Sequence, residues 1–130
     1  MSIKRISKTY FAVAGALIVF AAGALLGANQ FGKPKSLIHV VTVQWKTDTT
    51  DAQKKAVLEG IEKMAGEIPG IKNVWLNSIK VQPREYTSAF VMEFESKAAL
   101  DAYAKHPAHA DWMKLYAPVH EESRTSDVTN

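Results

Sequence analysis

The sequence predicts an α+β domain, one antiparallel sheet with its helices packed on one face. Three observations lead there. Runs of β-branched and aromatic residues with period-two patterning alternate with segments of helical period. Turn chemistry falls between them. The elements come in the order strand, helix, strand, strand, helix, with a polar tail that reads as an edge strand or frayed chain. That order is the split βαβ unit of the ferredoxin-like plan.

The first strand is LIHVVTVQWK, 37–46. It is rich in β-branched residues and carries no turn signal. His39, Val41, Val43 and Trp45 share one face, and Ile38, Val40, Thr42 and Gln44 the other. The segment TDAQKKAVLEGIEKMAGEI, 50–68, is predicted helical. Thr50 and Gln53 make a capping-box pattern that satisfies open backbone donors. Val57, Ile61, Met64 and Ile68 form one apolar stripe, and Pro69-Gly70 stops the helix. A second strand is expected over 71–81, a turn at QPRE, and a third strand over 86–96. In the third, Ser88, Phe90, Met92 and Phe94 point one way, Ala89 and Val91 the other. Ser96 is placed to cap a short helix through KAALDAYAKH. Pro107 breaks it, and the chain restarts as a turn of helix that stops at Pro118. A core this small leaves the second sheet face bare. Its residues Ile38, Val40, Ala89 and Val91 are apolar, as interface residues are, so a dimer packed sheet to sheet is expected. Trp75 reads as either core or interface.

Composition removes several classes of function. There is no cysteine, so disulfide frameworks, thiol nucleophiles and cysteine-ligated metals are excluded. The net charge of +3 is carried by Lys4, Arg5 and Lys8; the remaining 13 basic residues face 13 acidic ones. A balanced domain lacks the electrostatic footprint of a nucleic-acid binder.

The chain opens on a short basic segment and an uncharged apolar run from Tyr10 to Ala28. This pattern marks a signal peptide or an N-terminal membrane anchor over 1–28. Ala22-Gly23-Ala24 offers a cleavage site. Positive charge stays on the cytoplasmic side, so the rest is expected to be exported: periplasmic, extracellular, or anchored to the membrane by residues 10–28. Residues 29–36 read as a linker, 37–120 as the domain, and 121–130 as a polar tail or edge strand.

Four stretches in order carry a family resemblance: LIHVVTVQWK, EIPGIKNV, YTSAFVMEFESKAALDAYAKHPAH and YAPV. With them the domain resembles the stress-responsive A/B barrel (Dabb) family, whose members are dimeric α+β barrels. The resemblance spans about residues 36–120, and the F-E-S…L-x-x-Y-x-x-H-P-x-H run is its most specific part. It implies a homodimer. In a plant polyketide cyclase of that family, the second histidine of the HPAH motif is the general base. A tyrosine six residues earlier assists, and a first-strand histidine lines the cavity. Those positions match His109, Tyr103 and His39. The pattern departs at Ser88, where the cyclase has a further cavity histidine.

The chemistry of these residues is coherent. Imidazole titrates near neutral pH and suits proton abstraction from an activated carbon. A tyrosine hydroxyl can hold the carbonyl oxygen as it gains charge. His109 as base with Tyr103 is therefore the candidate catalytic pair, and His39, Ser88, Phe90, Met92 and Trp45 the candidate binding residues. Each also has a structural reading: Tyr103 and the aromatic residues as core, His109 as a cap at the Pro107 kink. His106 precedes a proline and is restricted to extended geometry. It reads as a C-terminal cap of the preceding helix, where a cationic ring favours the macrodipole. His106 and His109 flank a helix break and need not converge, so no metal is expected, and the resemblance implies chemistry without a cofactor. Two functions follow. The favoured one is a dimeric small-molecule-binding or stress-associated module, with a small apolar or aromatic ligand and no catalysis. The alternative is a cofactor-free cyclase- or isomerase-type enzyme using His109 and Tyr103.

Overall fold

The computed structural model describes residues 32–130. The expected leader over 1–28 lies outside the described residues. The order is β1 (Leu37–Trp45), α1 (Asp51–Glu67), β2 (Ile71–Trp75), β3 (Ser88–Phe94), α2 (Lys97–Tyr103), α3 (Pro107–Tyr116) and β4 (His120–Val128). The four strands form one antiparallel sheet in the order β2-β3-β1-β4. The helices lie on one face of it. The α+β, ferredoxin-like expectation is met, and the polar tail is the edge strand β4.

Local chemistry sets the element ends. Around Thr50 the capping box is complete: the Gln53 amide donates to Oγ1, and the Gln53 side chain accepts from the Thr50 amide at 2.8 Å. Val57, Ile61, Met64 and Ile68 are buried, as their stripe requires. Gly70 then turns the chain at φ +87°, a conformation only glycine takes without strain. Ser96 caps α2 by accepting from the Ala99 amide at 3.1 Å.

Three expectations need correction. β2 ends at Trp75 rather than running to 81. Trp75 pairs with Val91, but the next inward donor, the Ala89 amide, gives its proton to Ser78 Oγ at 3.2 Å, and the ladder stops there. The segment after Pro107 is a ten-residue helix, not a single turn. Pro107 breaks one helix and opens another, because proline at the first helical position lacks only a donor that has no partner anyway. His106 is accordingly the N-cap of α3 and not a C-terminal cap of α2. Its φ of −73° and ψ of 140° are the extended geometry expected before proline, and its Nδ1 accepts from the Ala108 amide at 3.1 Å.

The core lies between the inner sheet face and the helices. Val41, Val43, Trp45, Phe90, Met92 and Phe94 meet Val57, Ile61, Met64, Tyr103, Trp112 and Tyr116. Trp112 Nε1 donates to the Val57 carbonyl at 2.9 Å, tying α3 to α1 inside the core. The outer face carries Ile38, Val40, Ala89 and Val91, all part-exposed, with Trp75 beside Val91 at 51% exposure.

Candidate functional site

Period-two geometry places His39 on the inner face of β1, opposite Met92 on β3 and Asp127 on β4. Its Nδ1 lies 2.6 Å from Asp127 Oδ1. A carboxylate only accepts, so Nδ1–H donates, and Nε2 is the nitrogen left for a ligand. The His39 side chain is 12% exposed and that of Asp127 45%. The pair therefore sits where the core meets solvent, near the start of β1 and the end of β4.

Tyr103 ends α2 and stands over the pair. Its ring centroid is 6.0 Å from that of His39, 5.1 Å from Phe94 and 4.5 Å from His109. Burial pushes its phenol far above the ordinary tyrosine range, with Tyr116 adding to the effect, so it is a proton donor at any physiological pH. His109 lies in the first turn of α3, where the His106 N-cap fixes the helix start and turns the ring toward Tyr103 on one side and Trp112 on the other. It is half-buried. Burial first, and the neighbouring His39 second, hold its pKa below the usual imidazole value. A neutral imidazole and a protonated phenol in edge contact are the two halves of an acid–base pair.

The fold thus brings together three of the residues expected from sequence, His39, Tyr103 and His109. The others sit differently. Trp45 Nε1 donates to Ser88 Oγ at 2.8 Å, so these two meet each other two to three rows of the sheet away from His39. Phe90 and Met92 are 1% and 0% exposed and form a packed floor rather than an open lining. Asp127 was missed by sequence reasoning, which left it in the polar tail. The one signal pointing to it is indirect: a histidine on an apolar strand face requires a partner. Among the described residues no group of three or more histidines and acids is placed to hold a metal.

A four-stranded antiparallel sheet under three helices, with this constellation on its inner face, defines a ferredoxin-like α+β domain. The family model for the Stress responsive A/B Barrel Domain matches residues 37–130, and the chain belongs to that family, Dabb. The match takes in β4 and with it Asp127. The chain is 28% identical over 94 residues to olivetolic acid cyclase of Cannabis sativa, covering 70% of this chain and 93% of the cyclase. Among solved structures it is similar to a dimeric ferredoxin-like protein from Thermobifida fusca, with TM-score 0.65, 20% identity, and 78% and 97% of the two chains covered. It is also similar to a hydroxynitrile lyase from Passiflora edulis, with TM-score 0.66, 16% identity, and 73% and 93% covered.

Proposed function

We propose that this chain is an exported homodimer that binds a small apolar or aromatic molecule and performs cofactor-free acid–base chemistry on it, of the cyclase or isomerase type. The observation that carries this reading is the convergence of His109, Tyr103 and the Asp127-bound His39 at one partly open point of the inner sheet face. His109, held neutral, takes a proton from a carbon beside a carbonyl. Tyr103 donates to the carbonyl oxygen as charge develops on it. His39, its Nδ1 committed to Asp127, presents Nε2 to the same ligand. A relative named as a cyclase and a structural neighbour named as a lyase agree with proton-transfer chemistry at this fold.

The test is deuterium exchange at the α-carbons of 4-phenylbutan-2-one in D2O, followed by NMR. The wild type is expected to accelerate exchange. His109→Ala is expected to slow it about 10²-fold or more, the scale of a lost general base, with the melting temperature nearly unchanged. Undiminished exchange in that variant removes His109 from the chemistry.

A second reading, a binding module without catalysis, draws support from the packed floor of Phe90 and Met92 and the engaged Ser88 hydroxyl. It expects a ligand to raise the melting temperature as its concentration exceeds Kd, with no exchange. The dimer part of the proposal is supported by the apolar outer face and by the dimeric Thermobifida neighbour. Export is supported by the basic start and the apolar run over 10–28. The intact mass of the protein recovered from the cell envelope tests it and reports leader cleavage.

A further inference from the structure

The site opens at one end of the sheet, and the chain enters the domain at that same end. His39 stands near the start of β1, and its partner Asp127 near the end of β4. Ser36, directly before β1, accepts at its carbonyl from Thr129 Oγ1 at 3.2 Å, and the Pro34 carbonyl accepts from Asn130 Nδ2 at 2.9 Å. Residues 34–36 are thus fastened to the chain just past Asp127. At a strand rise of about 3.4 Å, Trp45 at the far end of β1 is roughly 20 Å from His39.

Upstream of this clasp the sequence leaves little slack. Five residues, 29–33, separate Ala28 from Pro34. Fully extended they bridge at most about 20 Å, and as a flexible coil they average roughly 13 Å. Before them stands the uncharged apolar run from Tyr10 to Ala28, of the length that crosses a bilayer as a helix. If that run is kept in a membrane, covalent reach alone holds the clasped end near the lipid. Lys33 and Lys35 are exposed on either side of Pro34, as cations are beside an anionic headgroup layer. The site itself is shallow. Phe90 and Met92, at 1% and 0% exposure, leave no room for a long chain in the core. The half-exposed Asp127 marks the way out. A ligand with a long apolar tail therefore has that tail outside the domain, where a lipid phase shields it from water.

We propose that this end of the domain faces a lipid bilayer and that the site takes an amphiphile from it. A carbonyl-bearing head reaches His109 and Tyr103 while the apolar tail stays in the lipid. The chemistry of the head rests on the acid–base reading; the facing of the domain does not. A plain spacer role for residues 29–36, with the leader removed, also accounts for a polar linker. It expects no preferred end toward the lipid and no advantage for a membrane-dissolved ligand.

The chain has no cysteine, so a single introduced one labels a single place. Full-length Glu95→Cys lies at the open end, next to the Phe94–Leu37 pair, and full-length Thr47→Cys lies past Trp45 at the other. Each carries a fluorophore in vesicles of phosphatidylcholine and phosphatidylglycerol that contain a headgroup-spin-labelled lipid. Quenching is expected to be several-fold stronger for the first variant than for the second. Equal or reversed quenching, or an envelope protein whose intact mass lacks the leader, overturns the proposal. In vesicles without the spin label, the full chain is expected to accelerate deuterium exchange at the α-carbons of heptadecan-2-one, which stays in the lipid, and of 4-phenylbutan-2-one, which dissolves in water. A helical spacer of about 30 residues inserted after Gly32 lifts the domain by about 45 Å. It is expected to slow exchange of heptadecan-2-one about tenfold or more, because a stiff linker that cannot span the gap removes the effective concentration. Exchange of 4-phenylbutan-2-one should be unchanged. Long-chain exchange that ignores the spacer, or exchange of the short ketone alone, overturns the amphiphile assignment. Exchange of neither ketone, with the quenching difference kept, removes the acid–base reading and leaves the facing of the domain in place.

Discussion

At the scale of single residues, the site is governed by what burial does to His109 and Tyr103. Both shifts favour the uncharged form, the form the proposed base and acid need at neutral pH. The acidic limb of kcat/KM for α-proton exchange should therefore have its midpoint below the ordinary imidazole value of 6.5. Stability carries the same sign. The unfolded chain binds a proton at His109 more readily than the folded one, so stability rises with pH across the interval between the folded pKa and 6.5. Acidifying through that interval should lower the denaturation midpoint, and His109→Ala should flatten the dependence. At the partner pair, Asp127→Asn replaces an obligate acceptor by an amide that accepts or donates, and the His39 tautomer is no longer fixed. Exchange activity should fall about tenfold or more, as when an orienting partner is lost, with little change in melting temperature because Asp127 is half-exposed. His39, Tyr103 and His109 were reached through the family resemblance carried by the first strand and the L-x-x-Y-x-x-H-P-x-H run, and the fold brings the three rings together. Asp127 was not, because its role exists only through a pairing across 88 residues of sequence. His106 was legible in backbone and misread in function, since extended geometry before proline serves a helix start as well as a helix end.

At the scale of elements, the helices and their ends were the most readable features. Capping residues, apolar stripes and stop signals act within one or two turns, and all of those for α1 are present in the structure. Strand ends were less so. The apolar pattern of 71–81 continues past Trp75, but a strand lasts only as long as its partner offers donors and acceptors, and Ser78 takes the one that mattered. The β2 start, by contrast, depends on a single position. At Gly70 a Cβ would come within 2.6 Å of the Ala99 Cβ, on a backbone already at φ +87°. Its carbonyl also accepts from the Glu95 amide at 2.9 Å, pinning the turn to the β3–α2 junction. Gly70→Ala is expected to cost about 1–3 kcal/mol, the range of a strained backbone position, read from urea denaturation. A cost below a few tenths would mean that the turn relaxes freely.

At the scale of the whole molecule, the outer sheet face is the feature that calls for a partner. Trp75, Val91 and Val40 lie in one row across β2, β3 and β1, and a row of large apolar groups in water favours self-association. Trp75→Glu should convert the proposed dimer to monomer by sedimentation velocity at micromolar concentration while leaving the fold intact by circular dichroism. An unchanged sedimentation coefficient would move the interface elsewhere. The bare face was legible from period-two alternation alone; its extension to Trp75 was not, because that depends on register. The β1 strand has one last consequence. His39 and Val40 are adjacent in the chain, yet one faces the proposed ligand and the other the proposed interface. If a shift of this strand by either neighbour is felt by the other, the proposed binding and assembly are thermodynamically linked, each altering the other's equilibrium by one common factor. Dilution then acts as an effector: the ligand concentration at half-saturation drifts as the protein is diluted through its dissociation range, and the size of that drift is the coupling free energy carried by one strand.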